Sequence, residues 1–184
     1  MPMIWYRSKS WFSLFSLFAA VFSYCTFADE IEEAFPGYAD LCGYPIVVST
    51  TPTIAQAVIG AEGSKVIVID PSLQAPEESF RRTFMIAHEC AHHRMGHSNL
   101  ASRQQRILSS RVVRDQELSA DCWAAETLAR AGQDRTTRLM ADRFFRGGLY
   151  SPGNGYPSGL QRSTIIQQCA QAGREARVAP NAAN

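Results

Sequence analysis

The residues best suited to chemistry lie in the segment His88-Glu89-Cys90-Ala91-His92, an HExxH sequence with two histidines four residues apart. On a helix, residues four apart differ by about 40° around the axis, so both imidazoles project from one face. That spacing suits one zinc ion. Glu89 lies about 60° from His92 on the same side, where it can take a proton from water that the metal makes more acidic. We therefore predict His88 and His92 as zinc ligands and Glu89 as the general base.

A catalytic zinc site needs a third protein ligand and an open position. Glu117, which follows His92 by 25 residues (117 − 92), is the best candidate. Asp121 comes one helical turn after it, and Ala120 and Ala124 flank the pair on the same face, where small side chains allow a second helix close. We predict that Glu117 binds the metal, one Zn²⁺ per chain, and that Asp121 accepts the outer N–H of a ligating histidine. The alternative, an exposed acidic pair, does not explain the alanines.

These residues need two helices to position them. Pro76 and the two glutamates after it suit a first helical turn, so we expect the HExxH helix to run from about Glu77 to Arg94 and end near Gly96. The alternative is an ordinary amphipathic helix with histidines on its polar side. Glycines and a capping Ser158 delimit the other helices. We predict these at about Arg111–Ala131, Asp134–Phe145 and Gly159–Ala172, with a linker before them.

Three β-prone runs precede the helices, at Ile46–Val48, Ala55–Ile59 and Lys65–Asp70. The turn at 60–63 predicts that the second and third runs form a hairpin. The fold class is therefore α+β: a small antiparallel sheet followed by packed helices. We expect an edge strand, Lys65–Asp70, to hold an extended substrate by strand addition.

The N-terminal segment has the three-part pattern of a secretory signal peptide. Arg7 and Lys9 supply a positive start, an apolar run follows at 11–27, and small residues surround a cleavage point after Ala28. The predicted organisation is a signal peptide at 1–28 and a single domain at 29–184, in a periplasmic or secreted protein. The alternative is an uncleaved anchor through the apolar run, which alone would bring the protein to a membrane.

The charge balance argues against a nucleic-acid partner. Of the 18 basic residues Arg7 and Lys9 leave with the signal, so 16 remain against 17 acidic ones and the net charge is near −1. Arginines cluster between 103 and 114, but Asp115 and Glu117 lie beside them, which favours a solvated helix face. We predict no binding of nucleic acid.

Four cysteines remain once Cys25 is removed: Cys42, Cys90, Cys122 and Cys169. An even number in an exported chain predicts two disulfides, for which three pairings are possible. Helical geometry turns Cys90 and Cys122 about 140–200° away from the ligands of their own helices. We favour Cys90–Cys122 with Cys42–Cys169, because the latter joins both ends of the domain and contributes about 4–5 kcal/mol on the chain-entropy model.

The segments HECAHHRMGH and ELSADCWAAE resemble the gluzincin metallopeptidases, in which a glutamate from a second helix is the third zinc ligand. They are most similar to the HtpX-like and CAAX-prenyl-endopeptidase group, and the small size resembles the minigluzincins. The resemblance covers about 77–170 and implies a helical zincin core. It implies that the zinc ligands are His88, His92 and Glu117, that the base is Glu89, and that a ligating histidine is supported by Asp121.

The resemblance extends to two further places. His97 matches a histidine that we interpret as structural, whereas His93, about 100° from its neighbour, is expected to leave the site. Related sequences carry a His-Pro pair and then an arginine before the last helix. Here the segment has Tyr156 before Pro157, and Arg162 follows. Tyr156 or Arg162 is then expected to stabilise the developing oxyanion.

Together these features predict an exported zinc endopeptidase that acts on a peptide or protein substrate. The alternative of a different class is a non-catalytic, metal-stabilised exported module that binds a partner. Loss of turnover with retention of zinc in a Glu89→Gln variant separates the two.

Overall fold

A computed structural model describes residues 31–33, 35–99 and 109–179. The predicted signal peptide at 1–28 and most of the predicted linker between the two site helices lie outside these ranges. In the part of the chain that is described, no helix is both long enough and apolar enough to cross a membrane.

Three short strands form a mixed sheet: β1 (Ile46–Val48), β2 (Ala55–Ile59) and β3 (Lys65–Ile69). Their order is β1-β3-β2, with β1 parallel and β2 antiparallel to β3. The predicted hairpin of β2 and β3 is confirmed, and at its turn the Gly60 N–H donates to the Ser64 carbonyl over 2.7 Å.

Two details of the predicted sheet are wrong. The sheet is not wholly antiparallel, and Lys65–Asp70 is not an edge strand, because the chain between β1 and β2 crosses the carboxyl end of β3. Residues 49–54 make this crossing, and there the Asp70 N–H donates to the Ile54 carbonyl over 2.9 Å. The crossing places β1 and β2 on opposite sides of β3, so β3 is central and β2 is an edge.

Helices follow the sheet in the order expected for an α+β fold. Among the described residues, a short helix precedes β1, and four longer helices come after β3. They are α1 (Tyr38–Leu41), α2 (Ser79–Arg94), α3 (Ser110–Arg130), α4 (Asp134–Arg146) and α5 (Gly159–Val178). The predicted cap of α5 is confirmed: Ser158 accepts the Gln161 N–H, and the Gln161 side chain accepts the Ser158 N–H. This reciprocal capping satisfies donors that have no partner inside the helix.

The last helix runs past its predicted end at Ala172 because contacts with α3 continue beyond it. At Gly173 an added Cβ would lie 2.4 Å from the Glu126 carbonyl oxygen, so glycine is what lets the two backbones approach. One turn later Arg177 donates to the Ala129 carbonyl over 2.7 Å. The glycine inside α5 is therefore a packing residue and not a stop signal.

The hydrophobic core lies between the sheet and the helices. β3 contributes Ile67 and α2 contributes Phe84, while Leu128 of α3 and Ile166 of α5 close the other side, all fully buried. Burial of side chains of this size contributes about 1.5–3 kcal/mol each. α3 packs on both α2 and α5, and α2 also contacts α4, so the HExxH helix joins the helical layer through α3 and α4.

Two disulfides are present among the described residues, Cys42–Cys90 and Cys122–Cys169, with Cα–Cα distances of 5.8 and 5.2 Å. The predicted pairing of Cys42 with Cys169 and of Cys90 with Cys122 is wrong. α2 and α3 face each other through the sides that carry His88, His92 and Glu117, so each cysteine lies on the back of its helix. The back of α2 meets the end of α1, and that of α3 meets α5. Two disulfides fit an oxidising compartment.

Candidate metal centre

The three predicted ligands converge where α2 faces α3. The Nε2 atoms of His88 and His92 are 3.1 Å apart. Glu117 places one carboxylate oxygen 3.4 Å from His88 Nε2 and the other 3.5 Å from His92 Nε2. These residues form a group whose ligand atoms all lie within 4.8 Å of one another. Sequence spacing places the two imidazoles on one face, and the packing of α3 brings the carboxylate to them.

The distances within this group fit a small divalent cation. In a tetrahedral zinc site, with metal–ligand bonds of about 2.0–2.1 Å, neighbouring ligand atoms are about 3.3–3.5 Å apart. The two Nε2 atoms are 3.1 Å apart, and each faces a different oxygen of the Glu117 carboxylate at 3.4 or 3.5 Å, so each histidine–carboxylate separation is close to one edge of such a tetrahedron. Two imidazoles and one carboxylate are also a donor set that catalytic zinc takes, with its fourth position open. The group can therefore hold a metal ion.

Asp121 orients the first imidazole from behind. Its Oδ1 lies 2.9 Å from His88 Nδ1, and the carboxylate is fully buried. Since a carboxylate only accepts, Nδ1 carries the proton and Nε2 presents a lone pair to the metal position. Arg162 donates from Nε and Nη2 to the same carboxylate over 2.7 and 2.6 Å. The predicted role of Asp121 is consistent with this geometry, whereas the two Arg162 donors are directed to Asp121.

The second imidazole has a partner of its own. His92 Nδ1 lies 3.1 Å from His97 Nδ1, so when His92 Nε2 is a ligand its Nδ1–H donates to His97. His97 thus contacts a ligand and is not one of the three clustered donors. His93 leaves the site as expected: its Nε2 lies 2.9 Å from the Val66 carbonyl and its Nδ1 2.7 Å from the Ser98 hydroxyl.

Glu89 lies beside the ligands and contacts the edge strand. Its Oε2 accepts the Ala57 N–H of β2 over 2.7 Å, and its side chain is buried at the cleft floor. Burial, and then the nearby Glu117 carboxylate, raise the pKa of Glu89 to about 7, against an opposing effect of His88. A carboxylate with such a pKa exchanges a proton readily near neutral pH.

The buried acidic groups of the site make it suited to a cation. Burial opposes ionisation of Glu117 and Asp121, but His88, and for Asp121 first Arg162, outweigh it and lower the pKa of both carboxyls. Burial also lowers the pKa of His92. Burial opposes protonation of His88, but Asp121 and then Glu117 outweigh it and raise its pKa to about 10. A bound cation would take the place of that proton beside the two carboxylates.

A cleft of about 1030 Å³ opens over the metal position. One wall is the edge strand β2, the floor is α2, and the opposite wall comes from α3, α4 and the loop before α5. Tyr156, 37% exposed, lines this cleft, and burial followed by the nearby glutamates raises its pKa. Its hydroxyl therefore stays protonated and able to donate. Whether Tyr156 stabilises an oxyanion stays a prediction.

Three features of the site were absent from the sequence interpretation: the Ala57 N–H on Glu89, the His97 contact with His92, and the pairing of Arg162 with Asp121. The first two join groups whose distance depends on the sheet and on the turn after α2. The third had a signal, because Arg162 lies one turn inside a capped helix and its charge needs a partner when that helix packs.

No protein-family model matches this chain, and no curated protein or solved structure is detectably similar to it.

Proposed function

We propose that this protein is an exported, zinc-dependent peptidase. The observation that carries the proposal is the convergence of His88, His92 and Glu117 at separations of 3.1–3.5 Å, below an open cleft and beside a buried carboxylate. The two disulfides support export. The finer expectation of a cleaved signal peptide at 1–28, and so of a periplasmic or secreted protein, is part of this proposal.

The ligand group would hold a zinc ion through the two Nε2 atoms and the Glu117 carboxylate. Zinc held there supplies Lewis acidity, polarising a peptide carbonyl and making a water more acidic. Glu89 accepts the proton of the attacking water and delivers it to the leaving amine, a role for which a buried carboxyl with a pKa of about 7 is suited.

The surrounding residues bind and orient. β2 would offer the outward carbonyl of Ala57 to an extended peptide, because Gln56 and Val58 pair with β3 and the Ala57 N–H is already donated to Glu89. Tyr156 donates to the carbonyl oxygen as negative charge develops on it. Arg162 acts through Asp121, whose position fixes the His88 ring, and so is a positioning residue in this mechanism.

The test compares two substitutions in the same turn of α2. Glu89→Gln should retain one zinc per chain and lose turnover by about 10²–10⁴-fold, because an isosteric amide cannot accept the proton. His92→Ala should lose the metal itself. Metal analysis of each purified variant, with cleavage of a broad peptide library followed by mass spectrometry, measures both.

Glu77→Gln is the matched control, since this glutamate is exposed just before α2. It should change neither zinc content nor turnover. Equal loss of metal in Glu89→Gln and His92→Ala would contradict the role of Glu89 as a base. A zinc-loaded wild type that binds peptides without cleaving any would favour the non-catalytic binding module.

A further inference from the structure

The charged side chains that line the cleft outside the metal centre are all of one sign. They are Arg81 at the start of α2 and Arg143 on α4, whereas the acidic residues that line the cleft, Glu89 and Glu117, belong to the centre. With a divalent ion balancing the inner charges, the remaining cleft is positive. We propose that the substrates are peptides with a carboxylate about three residues from the scissile bond, bound by these two arginines. This inference rests on the proposed function.

The distance follows from the geometry of α2. Arg81, Met85 and His88 are spaced at i, i+4 and i+7, so they lie along one face of the helix, and all three line the cleft. Seven residues of helix span about 10.5 Å. An extended peptide advances about 3.3 Å per residue, so about three residues separate the scissile carbonyl from the group that meets Arg81.

The guanidinium of Arg81 has hydrogen-bond donors that are not used within the protein. Its Nη1 donates to Glu78 over 3.2 Å, a partner one turn earlier in a partly exposed pair of the kind that contributes little. Its Nε is shielded from solvent and has no hydrogen-bond partner. The Nη groups of this side chain, which is 18% exposed, are the donors left for a substrate carboxylate, in competition with Glu78.

Arg143 is the second anchor. It follows the buried Met140 by three residues and precedes Phe144, and all three line the cleft. Within the ranges that the structure describes, Arg143 makes no ion pair or hydrogen bond, unlike Arg162 nearby, which is bonded twice to Asp121. An exposed arginine on a cleft wall is free to form a bidentate contact with a carboxylate.

The direction of the peptide follows from the way α2 lies along β2. Glu89 meets Ala57, and Lys65, which pairs with the last residue of β2, donates to the His93 carbonyl near the end of α2. The start of α2, with Arg81, therefore lies towards the start of β2. Antiparallel addition, the commoner pairing, makes a peptide run towards Arg81 as it approaches its C-terminus. The carboxylate is thus on the C-terminal side of the cleaved bond.

The experiment uses internally quenched, C-terminally amidated peptides with an uncharged sequence and a single Glu, Gln or Lys scanned through every position. Cleavage sites are read by mass spectrometry. A parallel set with a free C-terminus distinguishes a terminal carboxylate from a side-chain one. Binding of the same peptides to the Glu89→Gln variant is measured by fluorescence anisotropy. We expect Glu three residues after the cleaved bond to raise kcat/KM and affinity about tenfold over Gln.

Arg81→Gln and Arg143→Gln should each reduce this preference, whereas Arg146→Gln, an exposed arginine on α4 outside the cleft, should retain it. Equal binding of the Glu and Gln peptides, or a preference for Lys, overturns the inference. If no peptide is cleaved but the Glu preference in binding persists and depends on Arg143, the charge selectivity stands and the peptidase function fails.

Discussion

Arginines in two layers of the same site differ in whether they have partners within the protein. In the inner layer, Arg162, whose side chain is 14% exposed, donates twice to the buried Asp121, which also accepts from the buried His88. On the outer wall, Arg143 has no partner in the described part of the chain, and Arg81 pairs with the partly exposed Glu78 and lies within electrostatic reach of Asp70. The inner layer is organised by bonds within the protein, so its geometry is independent of substrate. The outer wall has hydrogen-bond donors available to a ligand, which suits it to the selection of substrates.

The inner layer breaks most severely when its shared carboxylate is removed. Asp121→Ala leaves the largely buried Arg162 unpaired and the buried His88 without its outer partner, so the free energy of unfolding should fall by about 3–5 kcal/mol. Zinc affinity should fall by about 10–100-fold. Chemical denaturation and competitive zinc titration measure the two effects. Asp142→Ala, an exposed carboxylate on α4, is the control, and a cost below about 1 kcal/mol for Asp121→Ala would contradict this account.

Removal of each disulfide tests whether the geometry of the inner layer depends on the covalent links between its elements. Removing Cys122–Cys169 or Cys42–Cys90 as a Ser pair should cost about 4 kcal/mol in each case on the chain-entropy model, since the sequence separations, 47 and 48, are nearly equal. Only Cys122–Cys169 joins the helices of Asp121 and Arg162, so its loss should lower zinc affinity further. Denaturation followed by zinc titration checks this, and an equal effect on affinity would show that the inner layer does not need this support.

Close packing of α5 on α3 is the next condition for the inner layer, because it brings Arg162 to Asp121. Gly173→Ala places a methyl group 2.4 Å from the Glu126 oxygen and should cost about 1–3 kcal/mol. Gln168→Ala, at an exposed position of α5, should have little effect. Thermal unfolding measures the stability of the two variants. Equal stability of Gly173→Ala and Gln168→Ala would show that the two helices can move apart without cost.

The outer wall should give the smallest effect on stability. Arg143→Gln removes an exposed side chain that has no partner among the described residues, so the free energy of unfolding should change by less than about 0.5 kcal/mol. Its effect is expected on peptide binding alone. Chemical denaturation of Arg143→Gln and Asp121→Ala compares the two layers. A large loss of stability in Arg143→Gln would contradict the distinction between them.

Much of the site could be predicted from the sequence because its spacing is helical. The shared faces of His88 with His92 and of Glu117 with Asp121 follow from the helical repeat, which any continuous helix imposes. Ala120, fully buried, indicated where the two helices approach each other. The α+β class and the hairpin also follow from local patterns.

The remainder depends on contacts between distant segments. β1 and β2 lie on opposite sides of β3 because residues 49–54 cross from one side to the other. No strand pattern encodes that crossing. Helical geometry turned Cys90 and Cys122 away from the metal, but their partners depend on what covers the backs of α2 and α3. Arg162 reaches Asp121 across 41 residues, a distance that only packing closes.

The order of the disulfides along the chain divides this small protein into two halves, each cross-linked within itself. The covalent loops 42–90 and 122–169 do not overlap, so no disulfide joins the half with the sheet and α2 to the half with α3, α4 and α5. A metal held by His88, His92 and Glu117 takes two ligands from the first half and one from the second. A metal ion bound there would cross-link the two halves of the polypeptide, and a chelator would remove that cross-link.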